Sequence, residues 1–146
     1  IVVCDSLEDP HNLGAILRSA EAAGVHGVII PKRNSVTLNY TVAKTSAGAI
    51  EYVPVVKVAN LPAAIDELKS RGVWIFGADM DGTDYTALDY SGSIALVIGS
   101  EGKGIGRLVR EKCDFIASLP MRGKINSLNA SVAAGILMFE AAKHRN

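Results

Sequence analysis

The sequence predicts an α/β fold with a mostly parallel sheet. Short β-rich runs alternate with helical runs along the whole chain, the order that produces strands joined by crossover helices. The runs at 73–78 and 94–98 are continuously apolar, as strands covered on both faces are. Polar, glycine-containing segments follow three of the strands, which is where open α/β sheets bind ligands.

The elements follow in order. Residues 1–4, Ile-Val-Val-Cys, read as a strand. Residues 12–24 read as a helix with Leu13, Ile16, Leu17 and Ala20 on one face and Gly24 as terminator, and Asn12 as its N-cap. A second strand, 27–30, is stopped by Pro31. Residues 39–47 read as a helix after Thr37 and Asn39, which are both able to cap it. Strand 53–58 is β-branched, and 61–71 is an amphipathic helix ending at Gly72. Strands 73–78 and 94–98 flank an acidic segment, 79–92, that reads as the least ordered stretch. A helix begins within 104–113, a last strand covers 115–119, and a long helix, 127–145, carries Ala, Val, Ile and Leu on several faces. That helix faces the sheet and something else, a partner subunit being one candidate.

The 146 residues suit one domain. No apolar run reaches the roughly 18 residues of a membrane helix. With 15 basic and 15 acidic residues the chain carries no net charge, which argues against a general nucleic-acid coat protein but leaves room for a local basic patch. Cys4 and Cys113 make no metal-ligand pattern, so no metal site is expected. They read as buried thiols in a reducing cytoplasm. The chain starts at Ile1 inside a strand and so reads as a piece of a longer protein, whose flank would supply affinity for a polyanion.

Three segments place polar residues where a core wants apolar ones. The first runs from Asp5 to Gly14 and adds Arg18; Asn and Arg together can hold a hydroxyl and a phosphate. The second, 96–106, carries four glycines after a buried strand. It has neither the Gly-Lys-Ser/Thr spacing of a P-loop nor Gly-x-Gly-x-x-Gly, and Glu101 would repel phosphates. An adenosyl ligand with a cationic centre suits it better, since glycines let the backbone approach closely. The third, 119–131, crowds Ser127, Asn129 and Ser131 at a helix start. Capping by Ser127 or Asn126 accounts for one of these polar residues and leaves the rest, and the backbone of 119–121 and near 127–128 could cup an adenine edge.

In this order, Asn12-x-Gly-x-x-x-Arg18, Ile98-Gly-Ser-Glu-Gly102, and Leu119-Pro-Met with Ser127-Leu-Asn-x-Ser131 resemble motifs 1, 2 and 3 of the SpoU branch of the SPOUT methyltransferases. The resemblance covers nearly the whole chain, and the third motif looks especially like the bacterial 23S ribosomal RNA guanosine 2′-O-methyltransferases. It implies a Rossmann-like sheet with helices on both faces and a C-terminal deep trefoil knot, a rare exception to ordinary topology. It implies a homodimer, S-adenosylmethionine as cofactor, and methyl transfer to a ribose 2′-hydroxyl of RNA. Ribosomal RNA is the first expectation for the substrate, with transfer RNA as the alternative. Residues 1–146 would be the catalytic domain, without the N-terminal RNA-binding domain of that group.

Carried over residue by residue, cofactor contacts fall on Gly77, Ala78, Gly99, Leu119, Met121 and Leu128. Ala78 stands where the family often has Thr. Arg18 would activate the hydroxyl, Asn12 would orient ribose or Arg18, Glu101 would position Arg18, and Ser127 and Asn129 would hold the nucleotide. Arginine stays protonated at neutral pH, so phosphate anchoring and oxyanion stabilisation are equally compatible with Arg18. Basic residues gather around motifs 2 and 3; Lys103, Arg107, Arg122 and Lys124 are the candidate RNA contacts. His11 and His26 read as local polar residues. Two other readings stand beside this one, a dinucleotide-dependent oxidoreductase and a non-catalytic RNA-binding module.

Overall fold

The structure, a computed structural model, describes residues 1–7, 9–32, 39–101 and 103–145. Six strands form one sheet: β1 (Val2–Cys4), β2 (Val28–Pro31), β3 (Val55–Val58), β4 (Trp74–Asp84), β5 (Ile94–Ile98) and β6 (Phe115–Ser118). Their order is β3-β2-β1-β5-β4-β6, and every neighbouring pair is parallel. Among the described residues, α1 (Pro10–Ala23), α2 (Tyr40–Thr45), α3 (Leu61–Ser70) and α4 (Arg107–Lys112) lie between strands, and α5 (Ala130–Ala142) follows β6. The chain steps outward from β1 to β3, then returns across the centre to build β4, β5 and β6. The reversal between β1 and β5 opens a crevice at their carboxyl ends.

Alternation along the strands divides the core between two faces. Cys4, Phe76, Leu96 and Ile98 face α1 and α5, where they join Leu13, Leu17, Leu137 and Met138. Val3, Ile75, Ala95 and Val97 face α3 and α4 and meet Ile65 and Val109. All five residues of β5 are buried, as its continuous apolar run predicts.

Side-chain caps set the helix starts. Asp9, not Asn12, caps α1: its carboxylate accepts from His11 N at 2.8 Å, and Pro10 occupies the first turn, where a missing N–H costs nothing. Asn39 caps α2 by accepting from Val42 N at 3.1 Å; the other candidate cap, Thr37, lies outside the described residues. At α5 neither Ser127 nor Asn126 is the cap. Asn129 is, and the helix begins at Ala130.

The stretch 79–92 departs most from expectation. β4 continues to Asp84 and pairs with β6 twice: Phe76–Ala78 oppose Phe115–Ala117, then Thr83 and Asp84 oppose Ala117 and Ser118. Residues 79–82 bulge out between the two pairings. Beyond them, the fully buried Tyr90 anchors the segment. Its ring lies 4.8 Å from Phe76, and its hydroxyl donates to Tyr85 O at 2.7 Å. Arg145, past the end of α5, donates to Tyr90 O at 2.7 Å and also to Gly92 O. A single aromatic anchor orders a segment whose composition reads as loop.

Cys4 is buried and Cys113 half-buried, and both are free thiols. Among the described residues no cluster could hold a metal ion, and no helix is long and apolar enough to cross a membrane.

Candidate functional site

A cavity of about 350 Å³ opens at the carboxyl ends of β4, β5 and β6. Its walls come from the bulge after Ala78, the loop after Ile98, and the segment from Ala117 to Ala133.

The second wall is a tight glycine loop. Gly104 N donates to Ser100 O at 2.9 Å and closes the turn. A Cβ on Gly99 would overlap the Gly104 carbonyl, and Gly104 holds φ +69 with the Asp79 carboxylate where its own Cβ would stand. Only glycine fits this approach of backbone to backbone. The loop's far end is tied to β1, because the buried Asp5 carboxylate accepts from Gly106 N at 2.8 Å.

The first wall is held as firmly. Ser118 Oγ donates to Asp79 O at 2.6 Å and accepts from Gly82 N at 2.7 Å, pinning both ends of the bulge to β6. Arg110 pairs with Asp79 at 2.7 Å and donates to Met80 O at 3.3 Å.

The third wall offers unused backbone. Among the described residues, 120–128 make no backbone–backbone hydrogen bond, so their carbonyls and N–H groups remain open to a ligand. Asn129 Oδ1 accepts from Ser131 N at 2.9 Å, from Val132 N at 3.3 Å, and from the Ser131 hydroxyl. With its oxygen engaged, the amide turns Nδ2 toward Glu101, which accepts at 3.5 Å. That contact joins motif 2 to motif 3.

The cavity gathers most of the sequence-predicted positions. Ala78, Gly99, Glu101, Lys103, Leu119, Met121, Ser127 and Leu128 line it, and Asn129 reaches its rim through Glu101. Gly77 stands one residue short, and its missing side chain makes room for Cys113 and Ile105. Asn12 is half-buried and Arg18 exposed, both on α1, and neither lines the cavity. Glu101 meets Asn129, not Arg18. Arg107 is exposed and pairs with Glu111 at 3.6 Å, while Arg122 and Lys124 are exposed on the loop before α5. Arg110 and Lys112, part of the same basic cluster, are structural: they pair with Asp79 and Asp66.

Sequence reasoning missed Asp79, Met80, Asp81 and Ser118, which also line the cavity. For Asp79 and Asp81 the signal is a pair of acids directly after a buried strand. The bulge that aims them inward needs the pairing with β6, which composition does not reveal.

The lining suits one kind of ligand. Ile98, Ala117, Leu119, Leu128, Ala130 and Ala133 make a mainly apolar floor; among the described residues, Asp81 and Glu101 line it with the cation Lys103, and Asp79 is paired with Arg110. That balance repels a polyphosphate and favours a flat apolar body carrying positive charge. An adenosyl group attached to a sulfonium meets both requirements. A wider groove of about 610 Å³ lies at the opposite, amino ends of the strands. Its Arg145 is already engaged by Tyr90 and Gly92, and among the described residues no carboxylate lines it.

Comparison with known proteins agrees with this geometry. The model of the SpoU rRNA methylase family matches residues 1–139. A Bacillus subtilis (strain 168) chain assigned to the TrmH family of tRNA/rRNA methyltransferases, YacO, is 57% identical over 146 residues. The match covers 99% of this chain and 59% of that relative, so the chain spans well under two-thirds of it. The structure of the SpoU methyltransferase AviRb from Streptomyces viridochromogenes, in complex with the cofactor AdoMet, superposes with TM-score 0.91 at 31% identity, over 99% of this chain and 59% of that one. A TrmH/SpoU tRNA-modifying enzyme of A. aeolicus gives TM-score 0.89 at 31% identity, over 99% and 74%. These matches carry the knotted α/β fold expected from the motifs, and the chain shares it.

Proposed function

We propose, from the premise that this chain belongs to the SpoU rRNA methylase family, that it is the catalytic domain of an S-adenosylmethionine-dependent RNA ribose 2′-O-methyltransferase. The observation that carries the reading is the convergence of motifs 2 and 3 on one cavity, through the Asn129–Glu101 contact. When bound, the cofactor supplies an electrophilic methyl group on a cationic sulfur.

The chain's own residues do the rest. Gly99 and Gly104 keep the loop flat enough to lie against a ligand, and the open backbone of 120–128 supplies hydrogen bonds to its base. Leu119, Met121 and Leu128 exclude water from one side. A less polar surround favours loss of sulfonium charge in the transition state, and alignment of oxygen with methyl and sulfur supplies much of the acceleration. Ser127 and Asn129 hold the nucleotide at the rim.

Arg18 anchors the phosphate beside the target ribose and stabilises the developing oxyanion, with Asn12 orienting it; the hydroxyl proton leaves to solvent as the O–CH3 bond forms and the S–CH3 bond breaks. Arg18 is exposed and, among the described residues, in no ion pair, so its guanidinium is free for such a partner. Lys103, Arg107, Arg122 and Lys124 steer RNA toward the cavity mouth.

The working form is a homodimer built on α5. Val132 and Phe139, one heptad apart on that helix, are each half exposed, with the half-buried Gly135 and Ile136 between them. This face lies beside α1, where Gly135 sits close to Ser19, so pairing through it brings a second Arg18 near the site. Ribosomal RNA guanosine is the proposed target. The setting is a reducing cytoplasm, and an RNA-binding segment outside residues 1–146 would add affinity.

Mass spectrometry of RNA incubated with protein and cofactor tests the reading. A ribose methyl group should form with wild type. Arg18→Ala should lose that product while retaining cofactor affinity. Base methylation, or full turnover by Arg18→Ala, would contradict it.

A further inference from the structure

The bulge of β4 contains a carboxylate that neither the fold nor the proposed chemistry uses. Of the three acids lining the cavity, Asp79 is held by Arg110 at 2.7 Å, and Glu101 accepts from Asn129 at 3.5 Å. Asp81 is different. Among the described residues its side chain joins no ion pair and no hydrogen bond, although it lines the cavity and is exposed to it.

Its backbone is also unusual. Asp81 holds φ +60, a left-handed conformation that costs most residues about 1 kcal/mol or more and that Asp and Asn tolerate best. Ser118 and Arg110 brace the residues on either side, Gly82 and Met80. An unpaired carboxylate thus stands on a braced backbone at the cavity edge, facing a site whose lining already favours a cation.

We infer that Asp81 recognises the ammonium group on the amino-acid tail of the cofactor, and so selects ligands that carry that tail over bare adenosyl thioethers. The inference rests on the proposed cofactor site and adds a specificity-determining residue to it. A carboxylate accepting from an ammonium makes a charge-assisted hydrogen bond, roughly twice as strong as a neutral one. Because the bulge holds Asp81 in place beforehand, little ordering is lost on binding.

Titration calorimetry with two probes tests this. S-adenosylhomocysteine carries the ammonium-bearing tail; 5′-methylthioadenosine has the same adenosine and a neutral sulfur without it. Asp81→Asn removes the charge with a residue that tolerates the same backbone. We expect this variant to bind S-adenosylhomocysteine roughly five- to tenfold more weakly, with methylthioadenosine affinity unchanged. An unchanged affinity for S-adenosylhomocysteine, or an equal loss for both probes, would overturn the role of Asp81 and leave the cofactor site standing. If wild type bound neither probe, the cofactor site itself would fall, and this inference with it.

Discussion

At the scale of single residues, burial decides which groups are available for chemistry. Desolvation pushes the Cys4 thiol up to about 12 and the Cys113 thiol, half-buried against Val109, up to about 11. The thiolate is the reactive form, and at pH 8 it is scarce at both positions. A disulfide reagent at that pH should label neither cysteine in the native chain and both after denaturation. The same shifts set a pH dependence. Both folded values lie above the ordinary thiol value of about 9. Their contribution to stability is therefore complete below pH 9 and lost as pH rises through about 11 for Cys113 and about 12 for Cys4. Rapid native labelling of Cys4 would contradict its burial between the sheet and the helices α1 and α5.

At the scale of elements, the sequence is most legible where one local rule decides and least legible where two distant segments must meet. The continuous apolar runs read directly as buried strands, and 94–98 coincides with β5. Helix starts were harder. Asn12, Ser127 and Asn126 were all reasonable caps, but the chain uses Asp9 and Asn129, because a cap is chosen by the loop that delivers it. The β4 bulge was invisible, since Ser118 and Arg110, which hold it, lie about 30 to 40 residues away. The site followed the same division. Leu119, Leu128 and Glu101 were placed by motif, whereas Asp79 and Asp81 emerged only from the pairing of β4 with β6.

Asn129 belongs to this scale because it serves an element and the site together. Asn129→Ala removes the α5 cap, at a cost of about 1 kcal/mol, and frees Glu101. Thermal unfolding should show the loss of stability. Asn129→Ser should restore most of it, since serine also caps, without recovering the reach to Glu101 or the RNA methylation proposed here. Recovery of both together would mean that Asn129 is only a cap.

At the scale of the whole molecule, the proposed working form contains a second copy. Half-exposed Phe139 and Val132 sit on a helix whose opposite face, Leu137 and Met138, is fully in the core. Phe139→Asp should place an unpaired charge in the proposed interface and leave that core untouched. Sedimentation should then show a dimer for the wild type and a monomer for Phe139→Asp, with its far-ultraviolet circular dichroism unchanged. A dimer of unaltered strength would move the interface elsewhere.

The central claim is that the glycine loop and the segment before α5 close on one S-adenosyl ligand. Amide hydrogen exchange with and without S-adenosylhomocysteine tests it most directly. We expect slowed exchange in residues 99–104 and 119–129 together, with the groove around Ile1, His26 and Arg145 unaffected. Protection confined to that groove, or none in either segment at saturating ligand, would contradict the account.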